Sequence, residues 1–554
     1  MINKKLKIGL HYFLFAIFFL VIITGCKESQ KNIEPFGEDI EQHIETLSSD
    51  EFEGRAPATP GGRKTVEYIE TEFEDIGLSP AVNGSYRQAV PLLEITGRDF
   101  SDLTISSENQ NIHSFSYANE MVIGTNRRKE NISIEDSEIV FAGYGIVAPE
   151  YGWNDYEGID VEGKTVVVLV NDPGFATKDE EMFTGEAMTY YGRWTYKFEE
   201  AARQGAAAAL IIHQDEPAGY GWGVVRNSWS GTQYRIAGNN DSDFLKAEGW
   251  IQLDLAEKIF SESGTSLEIA MQNARQPDFT PEQLDLSASL SFNNDCEETE
   301  SHNVIGYIEG SEYPDESVVY MAHWDHLGKV EKNDEVFIYN GAVDNATGVS
   351  GLIAMARRFA GRQEPPERSV VFIAVTAEES GLIGSQYYAE NPLFPVEQTV
   401  AGINMDALNV YGPTNDVEVI GYGYSGLDDY LKRHAAEQGR SLKPNTEPEK
   451  GYYFRSDHFN MVKKGVPMIY ASAGSDYIGK DKAYAEKVRE DMSKRYHQPS
   501  DTIHDMWDYD GIHQDLWLYY NIGNELTNND DFPNWRREGE FKNIRQQSTD
   551  KRRN

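Results

Sequence analysis

The chain has 554 residues, 40% hydrophobic and 12% aromatic. That is too long for one core and too apolar for a disordered protein, so two or three packed domains are expected. A formal net charge of −41 excludes a nucleic-acid binder, which needs basic patches, and describes a solvated surface that attracts divalent cations.

The N-terminus reads as a targeting segment. Lys4, Lys5 and Lys7 precede an apolar run over 8–23, which is short for a spanning helix. Ile23-Thr24-Gly25-Cys26 then resembles the lipobox of a bacterial lipoprotein. The expectation is a signal peptide over 1–25, a lipid on Cys26 as membrane anchor, and a polar tether over 26–35. Lys27 and Glu28 follow the cysteine where an inner-membrane signal would carry Asp. An exported lipoprotein of the outer membrane is therefore expected. The other cysteine, Cys296, would have no partner, so no disulfide is expected.

Residues 36–84 carry helical periodicity at Ile40, Ile44 and Leu47, then at Val66, Ile69, Phe73 and Ile76, with Gly77 as a stop. A Gly/Pro-rich loop, SSDEFEGRAPATPGGRK, separates the two helices. Residues 85–295 read as β-rich, with strands at 138–148, 164–171 and 208–213 and one helix near 195–204. From 296 to 527 strands and helices alternate. Strands fall at 303–308, 317–322, 369–375, 400–405, 416–420 and 467–471. Helices fall at 346–361, 381–390, 425–438, 456–464 and 511–527. This pattern predicts an α/β fold: a mixed, largely parallel sheet flanked by helices, preceded by the β-rich unit. The tail over 528–554 is polar and is expected to be disordered at its end.

Five metal-ligand candidates stand at strand ends in the alternating region: His323 in YMAHWDH, Asp344 in GAVDNATG, Glu379 in TAEESG, Asp406 in INMDAL and His497 in RYHQPSD. Ligands of such sheets bind beyond the strand ends. Two histidines and three carboxylates are the parts of a two-metal hydrolytic site. Asp344 could bridge the cations, with His323 and Asp406 completing one position and Glu379 and His497 the other. Glu378 would be the general base on a metal-bridging water. Asp325 would orient the His323 imidazole, and Tyr496 could donate to the oxyanion. His302, His326 and His458 read as ordinary loop histidines, and Asp457 as a helix cap or else a site residue, with the cap favoured.

Taken together, HWD (323–325), GAVDNATG (341–348), AEESGLIGS (377–385), NMD (404–406) and YH (496–497) resemble the M28 family of zinc peptidases. The resemblance implies two Zn2+, a zinc-exopeptidase-like fold and a peptide substrate. It implies the same ligand set, with Glu378 as base. Upstream, FAGYGI (141–146) and the stretches 155–174 and 190–213 resemble a protease-associated domain inserted before the catalytic one. An aminopeptidase is expected, because the acidic balance suits a substrate ammonium. Arg193 and Arg455 keep a carboxypeptidase of the glutamate-carboxypeptidase type open, since either could bind a terminal carboxylate. A non-catalytic binding protein on the same fold is the remaining alternative. The sequence leaves the oligomeric state open.

Overall fold

The computed structural model describes residues 33–107, 110–332, 335–536 and 540–553. The signal segment and Cys26 lie outside the described residues. Two helices come first, α1 (Ile40–Leu47) and α2 (Pro60–Ile76). Gly77 ends α2 in the left-handed region at φ 84°, the stop its lack of a side chain allows. Ile40, Ile44 and Leu47 from α1 and Val66, Ile69 and Phe73 from α2 are buried in the core of the C-terminal unit.

The inserted unit contains β1 (Arg87–Arg98), β2 (Asn131–Phe141), β3 (Thr165–Leu169), β4 (Ala208–His213) and β5 (Ala247–Gln252), with helix α3 (Trp194–Arg203). Strands β2, β3, β4 and β5 run parallel in that order. The strand expected at 138–148 ends at Phe141. Beyond it, Gly143 and Gly145 adopt positive φ and turn the chain.

One strand joins the two units. β6 runs from Glu282 to Ile308. Its start pairs with β2, its middle with β1 over 293–304, and its end with β8 (Arg368–Val375). The expected boundary at 295/296 therefore falls inside a continuous strand.

The second unit continues with β7 (Tyr313–His323), β9 (Thr399–Asn404), β10 (Asp416–Val419), β11 (Ser441–Pro444) and β12 (Met468–Ala473). β8, β7, β9 and β12 form a parallel run, and β10 joins β12 antiparallel. Along β7 the residues alternate between the faces. Val318, Tyr320 and Ala322 join one core; Val319 and Met321 join the other. Strands buried on both faces are the expected result of helices covering each side. Helices α4 (Thr347–Ala360), α5 (Ile383–Glu390), α6 (Leu427–Glu437) and α7 (Asp510–Leu526) lie within two residues of their expected limits.

Two elements differ from expectation. A helix at Lys482–Arg495 carries a single buried residue, Val488, so it offers no apolar stripe to read. The tail is also ordered within the described residues. It forms α8 (Glu540–Arg553), and the buried Arg545 donates to the carbonyls of Thr399 and Val400. Trp535, buried as well, donates its indole N–H to the Gly465 carbonyl.

Candidate metal centre

Parallel strands deliver their C-terminal ends to one edge, and His323, Glu379 and Asp406 follow from those ends; Asp344 lies instead in the turn before α4, and His497 follows the helix at Lys482–Arg495 rather than a strand. His323 is the last residue of β7, and its ring is buried. Its Nε2 lies 3.3 Å from Asp344 Oδ1 and 3.3 Å from Asp406 Oδ1. Asp406 stands two residues past β9. Its other oxygen accepts from the Ser456 hydroxyl at 2.6 Å.

Asp344 turns its second oxygen, Oδ2, to His497 Nε2 at 3.3 Å. The same His497 nitrogen is 3.0 Å from Glu379 Oε2. One carboxylate thus faces a different imidazole with each oxygen. His326 takes the remaining oxygen of Glu379, with Nδ1 2.6 Å from Oε1. The sequence reading had set His326 aside as an ordinary histidine. Its place directly after Asp325, in HWDHLG, was the only signal available.

The ligand turns are tied to one another by buried side chains. Asn345 donates to the carbonyls of His323 and Met405 and accepts from the amides of Gly348 and Ala407. It thereby links three ligand-bearing segments. Asp501 accepts from the amides of Val343 and Asp344. Arg55, fully buried, donates to four carbonyls: Leu47, Trp324, Asn340 and Gly341. The helical N-terminal segment therefore supports the turn after His323 and the turn before Asp344.

Asp325 differs from its expected role. The His323 Nδ1 faces the Asp325 carbonyl at 3.2 Å, whereas the Asp325 carboxylate is 4.0 Å away. That carboxylate instead accepts from the amides of Glu378 and Glu379 and fixes their turn. Asp457 does not cap its helix either: at the N-cap position its side chain makes no cap hydrogen bond.

The electrostatics are those of an acid cluster. Burial, and then the charges of Glu379, Asp457 and Asp406, push the Glu378 carboxyl well above the usual range, against the pull of His323. Burial raises Asp325 to about 6, with His323 opposing. Burial works against the charge on Glu379, but the His326 and His497 rings hold it at about 2. His497 is likewise desolvated, yet its bonds to Asp344 and Glu379 hold it at about 10. His323, Asp344 and Asp406 offer ligand atoms within 4.8 Å of one another, as do His326, Asp344 and Glu379. Converging carboxylates and imidazoles of this kind fit divalent cations in donor type and number.

Tyr496 stacks on His497 with centroids 3.8 Å apart, and 63% of its surface is exposed. With so much of the ring exposed, burial does little to its hydroxyl; the nearby charges of Asp344, Glu379 and Glu378 raise it above the usual value and keep it protonated. Tyr470, on β12, is desolvated and faces Asp406 and Glu378. The sequence offered no signal for Tyr470.

Comparison with known proteins agrees with this geometry. Residues 303–521 match the model of peptidase family M28. This stretch is similar to the peptidase domain of that family. It contains every ligand candidate named above. Among individual relatives, aminopeptidase NAALADL1 of Mus musculus is 35% identical over 122 residues, covering 21% of this chain and 15% of the relative. A glutamate carboxypeptidase 2 homolog of Caenorhabditis elegans is 32% identical over 125 residues, 22% of this chain and 15% of that protein. Aminopeptidase YwaD of Bacillus subtilis is 26% identical over 215 residues, 37% of this chain and 40% of that protein. The match thus spans less than half the length of each of these relatives. Among solved structures, an aminopeptidase from Aneurinibacillus sp. strain AM-1 is 17% identical with a TM-score of 0.49, covering 89% of this chain and 95% of that one.

Proposed function

We propose that the protein is a di-zinc exopeptidase that removes amino-terminal residues from peptides. The observation that carries this reading is the Asp344 carboxylate, whose two oxygens face His323 and His497 separately at 3.3 Å. His323, Asp344 and Asp406 would hold one zinc. Asp344, Glu379 and His497 would hold the other, with His326 orienting Glu379. The two ions would supply Lewis acidity to the scissile carbonyl and to the attacking water.

The protein supplies the proton chemistry. Glu378 is fixed by its backbone bond to Asp325 and lies among the ligand carboxylates. It would take a proton from the attacking water and return it to the leaving amine. The Tyr496 hydroxyl, kept protonated by its acidic neighbours, would donate to the oxyanion. The surplus of carboxylates over cations suits a substrate α-ammonium. The likeness to family M28 and the aminopeptidases among its relatives support the same direction.

Metal titration of stripped protein, followed by a substrate panel, tests the reading. About two equivalents of zinc should bind, and free-amine peptides should be cleaved while N-acetyl dipeptides are not. A single equivalent would remove the bridge. Cleavage of N-acetyl dipeptides alone would reverse the direction to a carboxypeptidase.

We further propose that Cys26 carries the membrane anchor of an outer-membrane lipoprotein. No helix of the described residues is long and apolar enough to cross a membrane. Cys26→Ser should abolish incorporation of labelled fatty acid. Continued labelling would refute the assignment.

A further inference from the structure

Four of the five ligand candidates are anchored in the sheet and its turns. His497 is not. It follows the helix at Lys482–Arg495, in which Val488 alone is fully buried. Tyr496 and Met492 beside it are exposed. His497 itself holds φ at 56°, a left-handed conformation that a side chain disfavours and that the surrounding structure has to impose. A ligand so placed needs something to hold it.

What holds it is a chain of polar contacts that starts at Asp491. This carboxylate lies on the helix, one turn before its end. Its Oδ1 accepts from Arg495 Nε at 3.0 Å, and its Oδ2 accepts from the Tyr411 hydroxyl at 3.2 Å. His504 Nε2 lies 3.1 Å from the same Oδ2. Burial works against the charge, but Arg495, His504 and Tyr411 hold the carboxyl below its usual range. Three segments therefore meet on one side chain: the helix, the stretch that leaves Asp406, and the stretch that leads into α7.

Arg495 carries the restraint on to the ligand. Its Nη1 donates to the Ser500 carbonyl at 2.6 Å, which closes the loop that contains Tyr496 and His497. Inside that loop the Gln498 amide donates to the Arg495 carbonyl, and the Asp501 amide to the Gln498 carbonyl. The apolar support is small: Val488 packs with Val410, Tyr411 and Tyr477. The turns of His323 and Asp406 are tied by other groups, Asn345 and Ser456.

We propose that Asp491 is a positioning residue for the zinc site that His497 completes. It fixes Arg495, Arg495 fixes the loop, and the loop presents His497. This rests on the di-zinc reading and adds that the two positions are held independently, so that one can be lost while the other stays filled.

Zinc binding to the stripped protein tests this without turnover, by calorimetry and by metal analysis after gel filtration. Wild-type protein should take up two equivalents. Asp491→Ala should weaken one of them by about 10- to 100-fold, as loss of a partner behind a ligand typically does, and leave the other within about twofold. Asp491→Asn, which keeps an oxygen acceptor, should recover part of the loss. His497→Ala is the reference, since it removes the ligand itself. Adding Asp491→Ala to it should cost no further zinc affinity, because the carboxylate acts through that imidazole. A further loss in the double variant, equal weakening of both equivalents, or no weakening at all would each overturn the proposal. Hydrogen exchange in the unmodified protein covers the case of a variant that does not fold. Amides over 489–500 should gain protection with the second equivalent of zinc. Full protection in the metal-free protein, or with the first equivalent, overturns the proposal as well. Wild-type protein that binds a single equivalent is a different result: it refutes the di-zinc reading and removes the site on which the proposal rests.

Discussion

Glu378 and Glu379 are adjacent in sequence, yet their environments divide their labour. Glu379 is drawn to both His326 and His497 and held ionised. Glu378 has no imidazole at that distance and is pushed toward the protonated form. Glu378→Gln should therefore lower turnover by about 10²–10⁴-fold with zinc content unchanged; loss of zinc from a folded variant would instead make it a ligand. Asp344→Ala should lose more metal than Asp325→Ala, because the second removes a support for the 378–379 turn rather than a donor. Equal zinc occupancy in the two variants would contradict the bridge. The pH dependence follows from His497. In the metal-free protein its raised pKa of about 10 means that its ion pairs with Asp344 and Glu379 are complete below the unfolded value of about 6.5. They are lost only as pH rises through about 10. A zinc ligand must be the neutral imidazole, so binding displaces a proton at neutral pH. Zinc affinity should rise between pH 6 and pH 8, with protons released in calorimetry as buffer-dependent heat. A flat profile would mean that His497 does not bind the metal.

At the scale of elements, the ligand turns hold their shape through side chains from distant segments. Arg55 is the clearest case, since one guanidinium satisfies carbonyls on both sides of the ligand pair His323 and Asp344. Arg55→Met should cost about 3–5 kcal/mol by leaving those carbonyls unpaired in the core, measured by denaturant midpoint, together with weaker zinc binding. Unchanged zinc affinity in the destabilised variant would limit Arg55 to a folding role. α8 makes a parallel case. Arg545→Ala should lower the same midpoint, because two strand-end carbonyls lose their donor; a truly disordered tail would show no change. His323, Glu379 and Asp406 were legible in the sequence because each follows a short apolar strand with a polar turn, whereas Asp344 and His497 follow no such strand and were carried by the motifs around them. α4 to α7 were legible because each carries an apolar face. The helix at Lys482–Arg495 was not, since only Val488 is buried there. Arg55, Asn345, Asp501 and His326 were missed for a common reason. Their roles depend on groups brought from other parts of the chain, and local periodicity carries no trace of that. Asp457 was misread in the same way, as a local cap, when its surroundings are set by the acid cluster.

The whole molecule is organised around β6. Within the described residues, it belongs to one sheet of 17 strands that continues from the inserted unit into the second unit. The domain limits were only partly legible, because an alternation of texture marks where helices begin, not where a sheet stops. Cutting the gene at 295/296 would split a ladder that pairs β6 with β1 from Asn293 to Val304. Residues 296–527 expressed alone should be insoluble or fail to unfold cooperatively; a soluble, two-state fragment would show that the second unit needs no inserted unit.

A backbone ladder that crosses from one unit to the other is a poor hinge. Opening the seam would require breaking several rows of strand pairing at once, whereas a linker of a few residues would bend freely. The inserted unit is thus held at a fixed place relative to the acid cluster, set by the sheet instead of by the substrate. An enzyme built this way receives its substrates as a rigid mould does, without closing around anything.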